Sequence, residues 1–293
     1  MKKYILALII LCCTFIYSCT PPPDDIEPKN YNADYASLVQ GYGPAVKEGV
    51  AKSPIVEFDF QPPEQQVLTI DGKTYVAEYS TQLLGKLEYR YYSNSSNPSI
   101  TYSLFADTGK FASISLFGGT IDYNKIFEEH KTEEEYLDWI RSLLTEYGID
   151  DLDEYTYTCM TLYTSGYYSN SFSTPDNLDG YQFNFVRYVN GMKTDDTASV
   201  SIYKNSFSLV VSPGKFKDFD NATIDILQCD AVAESFMMDS LESGWSFTDI
   251  KFDGCILKSN GDLIYLEYSY LVELRDSEGR ETASAYVINV YLE

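Results

Sequence analysis

The architecture follows from one segment, which reads Tyr181-Gln182-Phe183-Asn184-Phe185-Val186-Arg187-Tyr188-Val189-Asn190-Gly191. Aromatic residues alternate in it with polar ones, which places them on one face of an extended strand. The Asn-Gly pair at its end is the preferred turn of a two-residue β-hairpin. The segment therefore predicts a strand over 181–189 that turns back into an antiparallel neighbour over 198–203.

One helix is expected before this hairpin and another after it. Thr132 has the position of an N-cap, Glu135 completes a capping box, and apolar residues recur every three or four positions up to Tyr147. The helices are predicted at about 132–147 and 230–241. Strands are predicted after them at 155–163, 181–189, 198–203, 207–211, 255–258, 263–273 and 283–292. Because a helix followed by a meander occurs twice, the predicted class is α+β, with antiparallel sheets and two main helices packed on one face.

The residues before the first helix divide into three parts. An all-antiparallel β unit is expected over 66–122, where Asp71-Gly72 separates two strand-like runs and marks a hairpin. Residues 19–65 form an acidic, Pro-rich tether with a short helix expected around 35–40. Residues 1–18 form a signal peptide, and 123–293 form the α+β region.

The amino terminus has the features of a bacterial export signal. Lys2 and Lys3 precede an apolar run from Tyr4 to Tyr17, which is shorter than the ~20 residues of a spanning helix. The run ends in Ile16-Tyr17-Ser18-Cys19, which resembles the bacterial lipobox, although Tyr17 departs from the small or aliphatic residue usual there. The resemblance implies lipidation at Cys19 with acyl chains such as palmitate. We expect an extracytoplasmic lipoprotein anchored to the bacterial cell membrane or outer membrane; an uncleaved signal anchor is the alternative.

Composition and charge exclude several classes of function. The chain has 293 residues, of which 44% are hydrophobic and 15% aromatic, as in one or two globular domains. Its formal net charge of -23 repels polyphosphates, so no nucleic-acid partner is expected. The single histidine, His130, excludes sites that need two imidazoles, including HExxH metalloproteases. We expect no cofactor, and contact with the membrane only through the N-terminal lipid.

The aromatic strand and Asn-Gly turn at 181–191 resemble those of bacterial PepSY-like lipoproteins, and the resemblance extends over about 132–293. It implies an extracytoplasmic domain that binds or restrains partners, often peptidases. The family has no shared catalytic residues to carry over.

Several motifs resemble catalytic sites, and each has a simpler explanation. Asp107-Thr108-Gly109 matches the aspartic-protease triplet but lacks a second copy, and it suits a hairpin turn. Ser212 and Lys215 have SxxK spacing, but Pro213-Gly214 prevents the helical turn that this chemistry needs. His130 lies just before an N-cap. Acidic clusters, which suit solvated charge, a Ca²⁺ site or a glycosidase pair, occur at 133–135, 150–154, 195–196 and 218–220. We expect no catalysis; the alternative is a glycosidase-like hydrolase that uses a carboxylate pair.

A repeated pentapeptide indicates binding loops. Tyr91-Tyr92-Ser93-Asn94-Ser95 recurs as 167–171 in the same order, and each copy leads through a Pro-containing loop into a strand. Tyr, Ser and Asn are typical of adaptable recognition loops. The candidate ligand-binding residues are therefore Tyr167, Tyr168, Phe172, Tyr91 and Tyr92, with a protein or a glycan as the expected ligand. Coincidence in a Tyr- and Ser-rich chain is the alternative.

The cysteines after Cys19 do not form a disulfide framework. Cys159, Cys229 and Cys255 are odd in number and widely spaced, so at most one bridge is possible and buried thiols are favoured.

Overall fold

The computed structural model describes residues 29–50, 60–70, 73–83, 88–93, 98–106, 108–118, 123–147, 149, 152–212, 216, 219, 222–260 and 263–293. The signal peptide, Cys19, most of the Pro-rich tether and the Asp71-Gly72 turn lie outside these residues. Within the described ranges, no helix has the length and apolar character needed to cross a membrane.

Two strands open the described chain, β1 (Asn30–Tyr31) and β2 (Ala33–Gln40). The short helix predicted around 35–40 is wrong, because this segment is β2. It pairs antiparallel with the last strand of the chain, in a register that places Leu38 opposite Ile288. Leu38 is fully buried. Because the two paired strands are far apart in sequence, the residue pattern of 33–40 alone does not show that this segment lies beside another strand.

An antiparallel meander follows, as predicted for 66–122. Its strands are neighbours in sequence and in space: β3 (Gln65–Ile70), β4 (Lys73–Leu83), β5 (Glu88–Ser93), β6 (Ser99–Phe105) and β7 (Phe111–Phe117). The meander is not a separate sheet, because β7 also pairs with a later strand, Ile114 opposite Leu209.

Two helices come next, α1 (Tyr123–Glu129), which was not predicted, and α2 (Glu133–Glu146). The predicted capping box is confirmed: Thr132 Oγ1 accepts the backbone N–H of Glu135 at 3.3 Å, and Glu135 Oε2 accepts the backbone N–H of Thr132 at 3.0 Å. Backbone hydrogen bonds from Lys131 and Thr132 lower the pKa of the Glu135 carboxyl. The buried face of α2 consists of Tyr136, Ile140 and Leu144.

The strands after α2 form an antiparallel meander. They are β8 (Tyr155–Tyr163), β9 (Tyr168–Ser169), β10 (Leu178–Val189), β11 (Met192–Tyr203) and β12 (Ser206–Ser212). The predicted hairpin joins β10 to β11, with Asn190 at φ 50° and Gly191 at φ 79°. Two consecutive positive φ angles are typical of the type I′ turn that the Asn-Gly pair favours. Strand β8 pairs with β10 on one side and with β9 over two residues on the other.

A second helix-and-meander unit completes the chain. Its elements are β13 (Thr223–Ile224), α3 (Ile226–Asp239), β14 (Trp245–Asn260), β15 (Leu263–Asp276) and β16 (Glu281–Leu292). Helix α3 begins earlier than predicted because Asp225 is its N-cap and accepts the backbone N–H of Gln228 at 3.0 Å. Strand β14 begins before the predicted residue 255. Two β-bulges, between Phe247 and Asp249 and between Phe252 and Gly254, interrupt the alternation that would indicate its first part in the sequence.

The fold is therefore α+β, as predicted, and mostly β. The pairings within β3–β7, within β8–β12 and within β14–β16 are antiparallel, as are those of β7 with β12 and of β2 with β16. Strand β1 pairs in parallel with β13, and a parallel bridge, Thr194 opposite Leu257, joins β11 to β14. Each long helix has its own core. Helix α2 buries its face against β10–β12, and α3 buries Cys229, Ala233 and Met237 against β2, β15 and β16.

Candidate functional site

The loop over 164–177 joins β8 to β10, and Thr161 anchors it to the sheet. Thr161 is buried; its Oγ1 donates to the carbonyl oxygen of Ser171 at 2.7 Å and accepts the backbone N–H of Ser173 at 3.0 Å. At the base of the loop, the carbonyl oxygen of Asn177 accepts the backbone N–H of Thr164 at 3.0 Å. The loop is thus held by hydrogen bonds at its base and at its centre.

Phe172 closes the loop against the core. Its ring stacks on Tyr181 with the centroids 4.8 Å apart and lies 5.9 Å from the ring of Tyr136 on α2. The Tyr181 hydroxyl donates to the loop backbone at 2.9 Å, and burial raises its pKa to about 12. The candidate residue Phe172 is therefore half-buried, because its ring folds back onto the apolar core. Phe172 holds the loop in place.

The two tyrosines at the tip of the loop point into solvent. Tyr167 is 77% exposed and Tyr168 is 64% exposed. Their backbone is hydrogen-bonded: the carbonyl oxygen of Tyr163 accepts the N–H of Gly166 at 2.8 Å, and the N–H of Tyr163 donates to the carbonyl oxygen of Tyr167 at 3.0 Å. Gly166 has φ +82°, which a residue with a side chain rarely adopts. The result is a pair of exposed rings on a hydrogen-bonded base; that these two rings bind a ligand stays a prediction.

The first copy of the pentapeptide is not structurally equivalent. Tyr91 and Tyr92 lie on β5, and Tyr91 is fully buried, with its ring 5.8 Å from Tyr79 and 6.2 Å from Tyr102. A buried ring is not part of a binding surface, so Tyr91 is removed from the candidates. Tyr92 points to the other face and is exposed. Residues 94–97 lie outside the described residues.

The described residues of the motifs that resemble catalytic sites lie in a turn, at the end of a strand and next to a helix. Gly109 has φ +66° in the turn between β6 and β7, and Asp107 lies outside the described residues. Ser212 ends β12, and 213–215 also lie outside. The Nδ1 atom of His130 is 2.9 Å from the carbonyl oxygen of Ile126. Among the described residues, no group of three or more His, Cys, Asp and Glu side chains could hold a metal ion.

The sequence interpretation missed a buried ion pair. It predicts a solvated Asp196, but this residue is buried beside Arg187, which is also buried; their side chains are 3.8 Å apart. Arg187 also lies 2.6 Å from Glu154, and Tyr155 donates a short hydrogen bond to Asp196. Burial, and then that hydrogen bond, raise the pKa of Tyr155. The alternation Thr194, Asp196, Ala198 along β11 is the signal that places Asp196 on the inner face.

The other residue of this acidic pair, Asp195, lies at the junction of the two units. Its Oδ2 accepts the backbone N–H of Ser259 on β14 at 3.3 Å, whereas its Oδ1 is buried with no hydrogen-bond partner among the described residues. Burial raises the pKa of Asp195 to about 6, and Asp196 adds to the rise. The Ser259 bond and Lys258 oppose it. Of the remaining acidic clusters, 133–135 begins α2 and contains the capping residue Glu135, and 150–154 contains the exposed ion pair of Asp153 with Arg141. In the cluster at 218–220, both acidic residues lie outside the described residues.

The three cysteines that the structure describes are free thiols, as predicted. Cys159 and Cys229 are buried and Cys255 is half-buried. Burial raises the pKa of Cys159 and Cys255 to about 12 and that of Cys229 to about 11. These thiols are therefore protonated and poorly reactive near neutral pH.

Comparisons with known proteins do not identify a family for this chain. No family model matches the chain, and no curated protein matches it. A solved structure that is similar in part is the Bacillus megaterium YpeB C-terminal domain, at 11% sequence identity and a TM-score of 0.29. The match covers 75% of this chain and 89% of that one. So low a TM-score does not establish a shared fold.

Proposed function

We propose that this protein is a non-catalytic, extracytoplasmic binding lipoprotein whose loop over 164–177 captures a protein or a glycan. The observation that carries the proposal is the exposure of Tyr167 and Tyr168 on a loop that Thr161 and Phe172 hold in place. Exposed ring pairs commonly mark interaction sites. A loop that is already ordered loses little conformational entropy on binding, which favours affinity.

The location belongs to the same proposal and rests on the sequence. The basic start, the short apolar run and Cys19 support lipid anchoring at the cell membrane or outer membrane. Two or more acyl chains on one cysteine hold a protein stably on a bilayer. The resemblance to PepSY-like lipoproteins supports a role in binding or restraining a partner. We include in this proposal that the two long helices lie on one face of the sheets.

The experiment compares two double variants of the full chain displayed on its native cell surface. Tyr167→Ala with Tyr168→Ala should weaken capture of a crosslinkable partner by about 2 kcal/mol, as expected for aromatic hot spots. The melting temperature should barely change, because both rings are already in solvent. Tyr42→Ala with Tyr188→Ala is the matched control, since it removes two exposed tyrosines elsewhere.

Equal capture by the loop variant and the control would refute the role of the loop. Loss of several kcal/mol of stability in the loop variant would show instead that the two rings are part of the core. Turnover of a captured glycan would refute the absence of catalysis and favour the hydrolase.

A further inference from the structure

Among the residues that the structure describes, strand β14 has one paired edge and one open edge. Its first edge pairs with β15 along its whole length, from Trp245 opposite Asp276 to Asn260 opposite Leu263. On its second edge, the pairing found within the described ranges is the bridge from Leu257 to Thr194. Residues 247–255 therefore present backbone N–H and C=O groups to which another strand can bind.

The face of this open edge that is turned toward α3 is apolar. Ile250 lies opposite Val272 and Phe252 opposite Tyr270, so both point to the core side of the sheet. Yet Ile250 is 36% exposed and Phe252 is 56% exposed, because the helix covers β2 and β16 and leaves the edge of β14 open. The Phe252 ring is 5.7 Å from that of Tyr270. An exposed aromatic beside an open edge provides a place for a partner's side chain.

One flank of α3 faces the same tyrosines. Asp230 accepts a hydrogen bond from the Tyr268 hydroxyl at 2.8 Å. Glu234 lies one turn after Asp230 and therefore on the same flank of the helix. Burial, followed by the charge of Glu234, raises the pKa of Tyr270 to about 12. The surface between this flank of α3 and the open edge of β14, called the groove below, thus has apolar residues on the strand and carboxylates on the helix.

The edge strand of the other helix-and-meander unit, β8, is only partly paired within the described part of the chain. Its Thr161 and Leu162 pair with β9. Near its start, the Tyr157 hydroxyl donates to Glu133 of α2 at 3.2 Å and so links this edge strand to its helix.

We propose that this groove binds an extended, basic segment of another protein, which adds as a strand to the open edge of β14. Its alternate apolar side chains pack on Ile250 and Phe252, and its lysines or arginines face the carboxylates of α3. A second copy of this chain is disfavoured as the occupant because its net charge is also -23. β-Bulges on either side of 249–252 limit the regular edge to a short run, which suits reversible binding and discourages self-association.

The test titrates the full chain with three synthetic octapeptides, using fluorescence anisotropy at physiological salt. The first alternates valine with lysine, the second alternates valine with glutamate, and the third is the first with alternate backbone nitrogens methylated. The first should bind saturably, and the other two at least tenfold more weakly, because one is repelled and the other cannot form the strand ladder. Equal binding of the methylated peptide, or no saturable binding of the first, would overturn the proposal.

Variants of the chain locate the site. Phe252→Ser should weaken binding of the valine–lysine peptide at least tenfold, and Glu234→Gln about threefold. Val67→Ser is the matched control, since it removes an exposed apolar residue from a strand of the other meander, and it should have no effect. Equal affinities of Phe252→Ser and Val67→Ser would overturn the proposal, provided that both melt as the parent does. Tyr167→Ala should leave the titration unchanged, which separates this groove from the loop over 164–177.

Discussion

Asp195→Asn should stabilise the protein at neutral pH. In the folded chain the Asp195 carboxyl has a pKa of about 6, against 3.8 for an ordinary aspartate, because it is withdrawn from water between β11 and β14. The folded state therefore holds a proton that the unfolded state releases between about pH 4 and pH 6. Stability contributed by this group is fully present below pH 4 and is lost as the pH rises through 6.

The size of the effect follows from the same pKa values. A rise from 3.8 to about 6 corresponds to about 3 kcal/mol. The amide that replaces the carboxyl group can still accept the Ser259 N–H, but its NH₂ group has no evident acceptor, so part of the gain is lost. We expect Asp195→Asn to raise the free energy of unfolding by about 1–2 kcal/mol at pH 7 and by almost nothing at pH 4.

Urea unfolding at pH 4 and pH 7 measures this difference directly. Removing any acid from so negative a chain relieves some repulsion, so Asp176→Asn, on the exposed loop, is the matched control. The reasoning is refuted if Asp195→Asn gains no more than the control at pH 7, or if its gain is equally large at pH 4.

Three further predictions test other parts of the molecule. Cys19→Ala should abolish lipidation, and intact-mass spectrometry of the exported protein should then show no acyl chains. Thiol titration of the unreduced, unfolded mature chain should count three free thiols besides the lipidated cysteine. A count of one would mean that two of these thiols form a bridge. Arg187→Met should lower the free energy of unfolding by about 3 kcal/mol in urea, because it leaves the buried Asp196 carboxylate without this partner.

Local features were predictable where a few adjacent residues satisfy their own backbone. The capping box at Thr132 and Glu135 and the type I′ turn at Asn190-Gly191 are formed by residues within four positions of one another. Their geometry therefore depends little on the rest of the chain. The α+β class follows from the order of such elements, because an apolar-faced helix followed by a meander occurs twice.

Burial of individual side chains was less predictable. The pentapeptide occurs twice, and its tyrosines differ in burial between the two copies. In the first copy the ring of Tyr91 is buried, whereas in the second both Tyr167 and Tyr168 are in solvent. Phe172, which follows the second copy of the pentapeptide, packs on Tyr181. Which ring is covered depends on the neighbouring strand, and the sequence of the loop does not contain that information.

Neighbouring residues determine the start of α2 and the Asn190-Gly191 turn, and composition determines the acidic charge. These features can therefore be inferred without any knowledge of the folded chain. The prediction of an export signal rests on the same kind of local pattern. Long-range packing, in contrast, makes residues 33–40 a strand beside residues 281–292, buries Asp196, and leaves β14 with an open edge beside α3. Each of these depends on contacts between residues far apart in the chain. Such contacts form only when the whole chain folds, since the burial they provide must offset the entropy of closing long loops.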